Sequence, residues 1–264
     1  MKNKSIALIL LLFFQTAIAD CNDSPAGTSA EPNEAIAAMD NCLTNELVRV
    51  ARTYLLLGLA SHDEGRYDEA IANFTRALQI APTYAAAYAN RARSYEKLGQ
   101  YDAARRDLDH AIEIDTSSMQ PYFYRGRVME LTHAYDDAVR DYTAALGLAT
   151  TPADKSLILY RRALISLETG DSDKARIDLD QAIDNLPTFA GAWLTRARIA
   201  AGDGDYEAAL RDYTKVIELE PANAQAWYER AGVHRKRHQD YLAVKDYARA
   251  NELDPSLKAV TNKG

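Results

Sequence analysis

Gly65-Arg66-Tyr67-Asp68-Glu69-Ala70-Ile71-Ala72-Asn73-Phe74-Thr75-Arg76-Ala77-Leu78, closed by Pro82, is the stretch that decides the fold, because the chain returns to its pattern about every 34 residues. Six units start at Ala51, Ala85, Met119, Ser156, Ala190 and Ala224, and the last ends at Leu257. A period of this size is that of stacked helical hairpins, in which each unit buries its apolar face only against its neighbours. Each unit reads as two amphipathic helices joined by a short turn. The turn carries Gly65, Gly99, Gly170 and Gly204, with His133 and His238 in the other two units. Glycine suits that place because it adopts left-handed geometry without penalty. Three extra residues precede the fourth unit, where Thr151, Pro152 and Asp154 read as an N-cap, a first-turn proline and a first-turn acid. That helix is therefore expected to start early and run about a turn longer.

Two positions are always small. The eighth holds Gly58, Ala92, Gly126, Ala163, Ala197 and Ala231, and the twentieth holds Ala70, Ala104, Ala138, Ala175, Ala209 and Ala243. Helices approach closely only where side chains are small. Large residues stand beside them: Tyr54, Tyr88, Tyr122, Leu159, Trp193 and Trp227 at the fourth position, and Phe74, Leu108, Tyr142, Leu179, Tyr213 and Tyr247 at the twenty-fourth. Their helical spacing makes them core packing, not a ligand box.

With these small slots, these aromatics and the closing prolines Pro82, Pro187, Pro221 and Pro255, the chain resembles the tetratricopeptide repeat family over residues 51–257. The resemblance implies an all-α, right-handed superhelical solenoid of antiparallel helix pairs. It would comprise about six repeats (51–84, 85–118, 119–152, 156–189, 190–223 and 224–257) after an N-terminal half-repeat helix. Thr116 and Thr150 depart from the closing proline, and Asp240 stands where the turn tyrosine is expected, with Tyr241 one residue late. The half-repeat rests on Asn33-Glu34-Ala35-Ile36-Ala37, which parallels Asp68-Glu69-Ala70-Ile71-Ala72. Residues 33–45 are expected to form a separate helix of the second type that caps the stack. No equivalent cap follows Leu257, so the last helix is expected to expose an apolar edge through Val244, Tyr247 and Leu253. Residues 258–264 read as a short tail.

The chain is 47% hydrophobic and 26% charged, a globular profile. Residues 1–19 read as a cleavable signal: Lys2 and Lys4 begin it, Ile6–Phe14 is an apolar run too short to span a bilayer comfortably, and Ala17-Ile18-Ala19 offers a cleavage site. Residues 20–50 would form a linker and the capping helix. Removing the signal takes two lysines and no acids, so the formal charge moves from −7 to −9 (−7 minus 2). A strongly acidic exported chain is a poor candidate for nucleic acid or anionic lipid. The expected place is the periplasm or the medium, with no membrane insertion after cleavage.

Cys21 and Cys42 are the two cysteines of the chain. In an oxidising compartment a disulfide between them would close a loop of about 20 residues, worth roughly 3 kcal/mol on the chain-entropy model. The alternative is a lipidated Cys21, against which Asp20 stands where a lipoprotein peptidase needs a small residue.

Arginine fills the seventh position in five units (Arg91, Arg125, Arg162, Arg196, Arg230) and aspartate the twenty-third in the same five (Asp107, Asp141, Asp178, Asp212, Asp246). The first unit lacks both together, having Leu57 and Asn73. Residues that come and go as a pair point to contact: an Arg–Asp bridge within a unit or to its neighbour. The alternative is an arginine ladder for an acidic ligand.

In the resembled family the first helices line a concave groove. Carried over residue by residue, the groove would hold Leu55, Leu59, Arg93, Phe123, Arg127, Tyr160, Leu164, Leu194, Arg198 and Tyr228. Aromatics and leucines beside arginines suit a peptide or helix of another protein. The blander alternative is that these are solvated faces of ordinary helices. Phe123, Tyr160 and Tyr228 have no core slot in the register, which favours the groove. A carboxylate clamp of the family's kind is not expected, since only Asn90 falls on its pattern and Leu55 and Leu59 stand where it needs polar groups. No nucleophile elbow, phosphate loop or Cys-x-x-Cys is present. His234 and His238 share a helix face, but Arg235-Lys236-Arg237 between them would repel a cation, so no metal and no cofactor is expected. Asn22-Asp23-Ser24 and Asn73-Phe74-Thr75 match the glycosylation pattern by chance. The sequence thus reads as a non-enzymatic, exported protein-interaction scaffold. A self-associating assembly factor that uses the C-terminal edge is the runner-up, and a small-ligand carrier or an enzyme without a recognisable motif stands behind it.

Overall fold

The computed structural model describes the backbone of residues 32–257 and the side chains of residue 41 and of 43–257. The expected signal at 1–19, the tail at 258–264 and Cys21 lie outside the described residues, as does the side chain of Cys42. The disulfide and lipid readings lie outside them too. Twelve helices and no strand occur among the described residues. The chain divides at Thr116/Ser117 into two compact blocks. The N-terminal block holds α1 (Pro32–Asp63), α2 (Tyr67–Ile80), α3 (Ala85–Lys97) and α4 (Tyr101–Ile114). The C-terminal block holds α5 (Met119–Leu131), α6 (Tyr135–Leu148), α7 (Pro152–Glu168), α8 (Ser172–Asn185), α9 (Ala190–Asp203), α10 (Tyr206–Leu219), α11 (Ala224–Lys236) and α12 (Asp240–Leu253). Within each block consecutive helices pack in antiparallel pairs, first helix on second, and each second helix on the next first helix.

The small slots set the spacing. Phe74 and Leu108 in the N-terminal block, and Tyr142, Leu179 and Tyr213 in the C-terminal block, are at most 2% exposed, each beside the alanines of its repeat. A Cβ added at Gly58 would lie 2.4 Å from the Phe74 ring, and one at Gly126 would lie 2.9 Å from Tyr142. The glycines are therefore what lets these rings fill the gap between paired helices. At the hairpin turns Gly65 has φ 75°, and the two histidines that replace glycine adopt the same left-handed geometry, His133 at 60° and His238 at 57°. Their hydrogen bonds match as well. Gly65 N–H donates to His62 O and Arg66 N–H to Ser61 O, and the same pair recurs at His133/Ala134 and His238/Gln239, the Schellman closure. Neither the threonines at 116 and 150 nor the shifted tyrosine at 241 changes the hairpin: α4, α6 and α12 are each 14 residues long, like α2 and α10. Helix α7 runs 17 residues, with Thr151 Oγ1 accepting from the Asp154 N–H at 3.1 Å and Pro152 at its first turn.

One expectation fails. Residues 33–45 do not form a separate capping helix; α1 is one helix of 32 residues that runs through the boundary expected at Ala51. The reason is local. Every other repeat closes with a Pro, Thr, Ser or Asn cluster, whereas Glu46-Leu47-Val48-Arg49-Val50 contains no residue that stops a helix. Helix α1 therefore does not turn back on itself, and Val48, Leu56 and Leu57 stand 54%, 56% and 49% exposed. The C-terminal edge differs in detail from the expectation. Tyr241, Leu242 and Val244 are exposed, but Tyr247 is half-buried with its ring 5.2 Å from Tyr228. None of the described helices is long and apolar enough to cross a membrane. Asn73 is 7% exposed inside α2, so its Asn-x-Thr triplet is not an accessible acceptor.

Candidate protein-binding face

The arginines at the seventh position bond in two directions. Each grips the aspartate sixteen residues on with two parallel hydrogen bonds: Arg91–Asp107 at 2.7 and 2.8 Å, Arg125–Asp141 at 2.8 and 2.7 Å, and Arg162–Asp178 at 2.7 and 2.7 Å. Arg196–Asp212 and Arg230–Asp246 each close at 2.7 and 2.9 Å. These bonds tie the two helices of one repeat. The remaining Nη1 reaches back to the second helix of the preceding repeat, from Arg91 to Thr75 (2.9 Å), Arg162 to Thr143 (3.0 Å), Arg196 to Asp180 (2.6 Å) and Arg230 to Thr214 (3.0 Å). The guanidinium planes also lie near the fourth-position aromatics, 4.8 Å from the Trp193 centroid for Arg196 and 4.9 Å from Trp227 for Arg230. Those two indoles are held in turn, each Nε1–H donating to the carbonyl of the preceding repeat's closing proline, Pro187 or Pro221. With two N–H donors on the aspartate, a third on the preceding repeat in four of the five, and the aspartates 4–7% exposed, these arginines cement repeats and do not form a ladder for an acidic ligand.

The candidate groove residues divide into core and surface. In the N-terminal block Leu55 is only 9% exposed and belongs to the core around Phe74, Leu59 is half-buried on that core, and Arg93 donates to Asn90 Oδ1 at 2.9 Å. Nearby, His62 Nδ1 and Ser94 Oγ lie 2.9 Å apart in buried surroundings. Burial, then the Arg93 charge, pushes the His62 pKa below its ordinary 6.5.

In the C-terminal block Phe123 is 9% exposed and packs on the Tyr142 ring at 5.7 Å, which corrects the expectation that it has no core slot. Tyr160, Leu164, Leu194 and Tyr228 are partly buried on α7, α9 and α11, with Tyr160 and Leu194 resting on the core. Tyr160 stands edge-on to Phe189 at 5.0 Å and Tyr228 edge-on to Tyr247 at 5.2 Å, so each ring is steadied by a neighbouring ring. Arg127 lies over the Tyr124 ring. Arg198 does not wait for a ligand carboxylate, because it holds Glu229 of the next first helix through two nitrogens at 2.9 and 2.7 Å.

Glu229 also accepts from Gln225 and from the Tyr213 hydroxyl, whose pKa is raised by burial and then by that carboxylate. A similar knot joins α5, α6 and α7: the Tyr142 hydroxyl donates to Glu130 Oε2 at 2.6 Å, and Arg161 lies 3.5 Å from Oε1. Sequence reasoning missed both knots. The usable signal was an opposite charge 31 residues from each basic or acidic member, Glu130 with Arg161 and Arg198 with Glu229.

Two other places were candidates for chemistry. A shallow cavity of about 500 Å³ is lined by Arg176, Asp180, Arg196, Asp203 and Asp212. Five of its charged side chains pair among themselves, Arg176 with Asp203 and Arg196 with Asp180 and Asp212. His234 Nδ1 pairs with Gln239 Oε1 at 2.7 Å and its Nε2 lies 3.8 Å from Asp246, while His238 sits in the turn, so the two do not face one another as a ligand pair.

The comparisons with known proteins agree with this geometry. The family model described as tetratricopeptide repeat matches residues 28–85, 129–188 and 194–257, more than half of the chain, and a second model of the same description matches 61–122. No curated protein matches. Among solved structures the chain is similar to PilF of Pseudomonas aeruginosa, at 18% identity over 79% of this chain and 94% of that one, with a TM-score of 0.71. It is also similar to YrrB, described as a TPR protein with an unusual peptide-binding site, at 21% identity over 69% and 92% of the two chains and a TM-score of 0.56. MamA matches at 23% identity over 64% and 97%, also with a TM-score of 0.56. At these identities the likeness is one of fold. With its register, its paired helices and these matches, the chain belongs to the tetratricopeptide repeat family.

Proposed function

We propose that this protein is a non-enzymatic interaction scaffold of the cell envelope, which holds an extended segment or a helix of another protein against the first helices of its C-terminal block. Tetratricopeptide repeat proteins are in general protein–protein interaction scaffolds, and that coarse role follows from the family. The finer reading rests on one observation: Tyr160, Leu164, Leu194 and Tyr228 keep part of their apolar surface exposed on the first helices α7, α9 and α11 beside the Arg198–Glu229 pair. Rigid aromatics backed by neighbouring rings offer contact area at small entropic cost, and a charged pair at the rim gives register to a partner's polar groups. The peptide-binding site of YrrB is a precedent on a similar fold. The envelope assignment is supported by Lys2, Lys4, the apolar run to Phe14 and Ala17-Ile18-Ala19.

The test is affinity capture from envelope extract, followed by titration of the captured protein in purified form. Wild type would run beside Tyr160→Ala/Leu194→Ala/Tyr228→Ala, a set chosen to leave Phe123 and the Arg–Asp pairs intact. The reading expects a partner bound by wild type and weakened at least tenfold, about 1.4 kcal/mol, by the triple variant, both titrated at a temperature where circular dichroism shows each to be folded, since Tyr160 and Leu194 also pack on the core. Equal binding by both would move the site away from this face.

A further inference from the structure

Where a second helix packs on the next first helix inside a block, the joint has the same chemistry each time. The twenty-fifth position of one repeat faces the seventh of the next, and that pair is polar. Thr75 meets Arg91, Thr143 meets Arg162, Asp180 meets Arg196 and Thr214 meets Arg230, at 2.9, 3.0, 2.6 and 3.0 Å. The twenty-eighth position faces the third, and that pair is apolar. Leu78 packs in one core with Ala87, Leu146 with Ile158, Ile183 with Ala192 and Ile217 with Ala226. The twenty-first position meets the tenth, as in Val139 with Ile165 and Leu210 with Val233.

Two such faces carry no helix among the described residues. One is that of α12, which no first helix follows, and the other is residues 51–63 of α1, which no second helix precedes. Val244 and Leu57 are 67% and 49% exposed there, and Ala248, Asn251, Thr53 and Ala60 are exposed beside them. At these ends the joint chemistry changes on both sides together. The twenty-fifth position is Ala248 and the seventh is Leu57, so acceptor and donor are lost as a pair. The twenty-eighth is Asn251 and the third is Thr53, so an apolar pair becomes an amide and a hydroxyl. The twenty-first and tenth stay apolar as Val244 and Ala60. Two solvated ends have no physical reason to match one another. A joint does, because a guanidinium facing Ala248, or an aliphatic chain facing Asn251, would strand a polar group at about 1–3 kcal/mol.

We propose that this protein stacks head to tail, with α12 of one copy packed on residues 51–63 of the next copy. Val244 then rests on Ala60 of the next copy and Ala248 on its Leu57, while the Asn251 amide donates to its Thr53 hydroxyl. Thr53 Oγ1 already donates to the Arg49 carbonyl, and its oxygen can still accept. Only the closing loop departs from an internal joint. Helix α1 continues upstream of Ala51, so residues 254–257 of the first copy pass beside it. The contact is heterologous, so it does not close at two chains and extends the solenoid into a filament. It leaves the faces of α7, α9 and α11 open, so it goes beyond the binding role and can fail independently of it.

Sedimentation velocity on the full chain as processed in the cell, from micromolar to millimolar protein, tests this. Wild type should grow with concentration past two chains without a plateau. Leu57→Glu spoils one end and Val244→Glu the other, both at exposed sites, and each alone should run as a single chain with helicity retained. Mixed in equal amounts they share one intact joint, so the mixture should form a two-chain species and nothing larger. A single-chain mass for wild type throughout the series would overturn the proposal. So would a wild-type plateau at two chains, growth indifferent to either substitution, or a mixture that stays at one chain.

Discussion

Repeats one and six share a register and part company at one position. In repeat six Arg230 spans three elements: it holds Asp246 on α12, reaches Thr214 on α10 and lies against Trp227 on its own helix. In repeat one the same position is Leu57, about half exposed, and Asn73 stands where the aspartate would be. The difference teaches what the arginine is for. It occurs where a second helix precedes it to accept its third hydrogen bond, and among the described residues none precedes α1. Repeat one therefore leaves a leucine half in water where repeat six has a cemented joint.

The largest effect expected from this contrast is at the joint. Arg230→Ala leaves Asp246, 4% exposed, without its main partner and should cost about 3–5 kcal/mol. Leu57→Ala should change the stability of the isolated chain by under about 1 kcal/mol, since its side chain is half in water already. Denaturant unfolding of both variants under the same conditions checks the ordering, and equal losses would break the comparison.

The two ends should also respond oppositely to one added methyl. Gly58→Ala drives a Cβ into the Phe74 ring and should destabilise by about 1–3 kcal/mol. At Gly232 a Cβ meets only the Tyr247 hydroxyl at 3.7 Å, so Gly232→Ala should stabilise α11 by roughly 0.5–1 kcal/mol. Thermal melts resolve both signs.

Smaller still is the turn of repeat six. His238 holds a left-handed φ of 57° that costs a side chain energy, and His238→Gly should gain about 0.5–1 kcal/mol, where the Gly65 turn of repeat one has nothing left to gain. The smallest effect is a pH dependence confined to repeat one. The folded protein lowers the His62 pKa, so the unfolded chain takes up the proton first as pH falls. The stability this group contributes is present above its ordinary 6.5 and is lost as pH drops through the folded value. Melting between neutral and mildly acidic pH should show that loss, and His62→Gln should flatten it.

Much of this was legible in the sequence because the contacts recur with the period. Gly58 and Gly126 face rings that fall sixteen residues later, and the arginines and aspartates vanish together in repeat one. What was not legible does not recur. The third bond of the arginine lands on Thr75, Thr143, Asp180 or Thr214, a position of varying residue type. Glu229, which occupies Arg198, stands where the other repeats have Leu56, Asn90, Tyr124, Arg161 and Thr195. Phe123 reads as a groove residue by position and is drawn into the core by the large Tyr142 ring beside it. At α1 two signals compete: the resemblance of 33–45 to a second helix argues for a break, and the lack of any stop residue in 46–50 prevents one.

The most direct test of the account is a double-mutant cycle on Arg162 and Asp178, read by denaturant unfolding. If the pair joins the helices as described, Arg162→Ala should cost about 3–5 kcal/mol. The double variant Arg162→Ala/Asp178→Asn should then lose less than the sum of the single changes by about 2 kcal/mol or more. Losses that add to within about 0.5 kcal/mol would mean the two side chains do not sustain one another, and the arginines would have to be reassigned to a ligand.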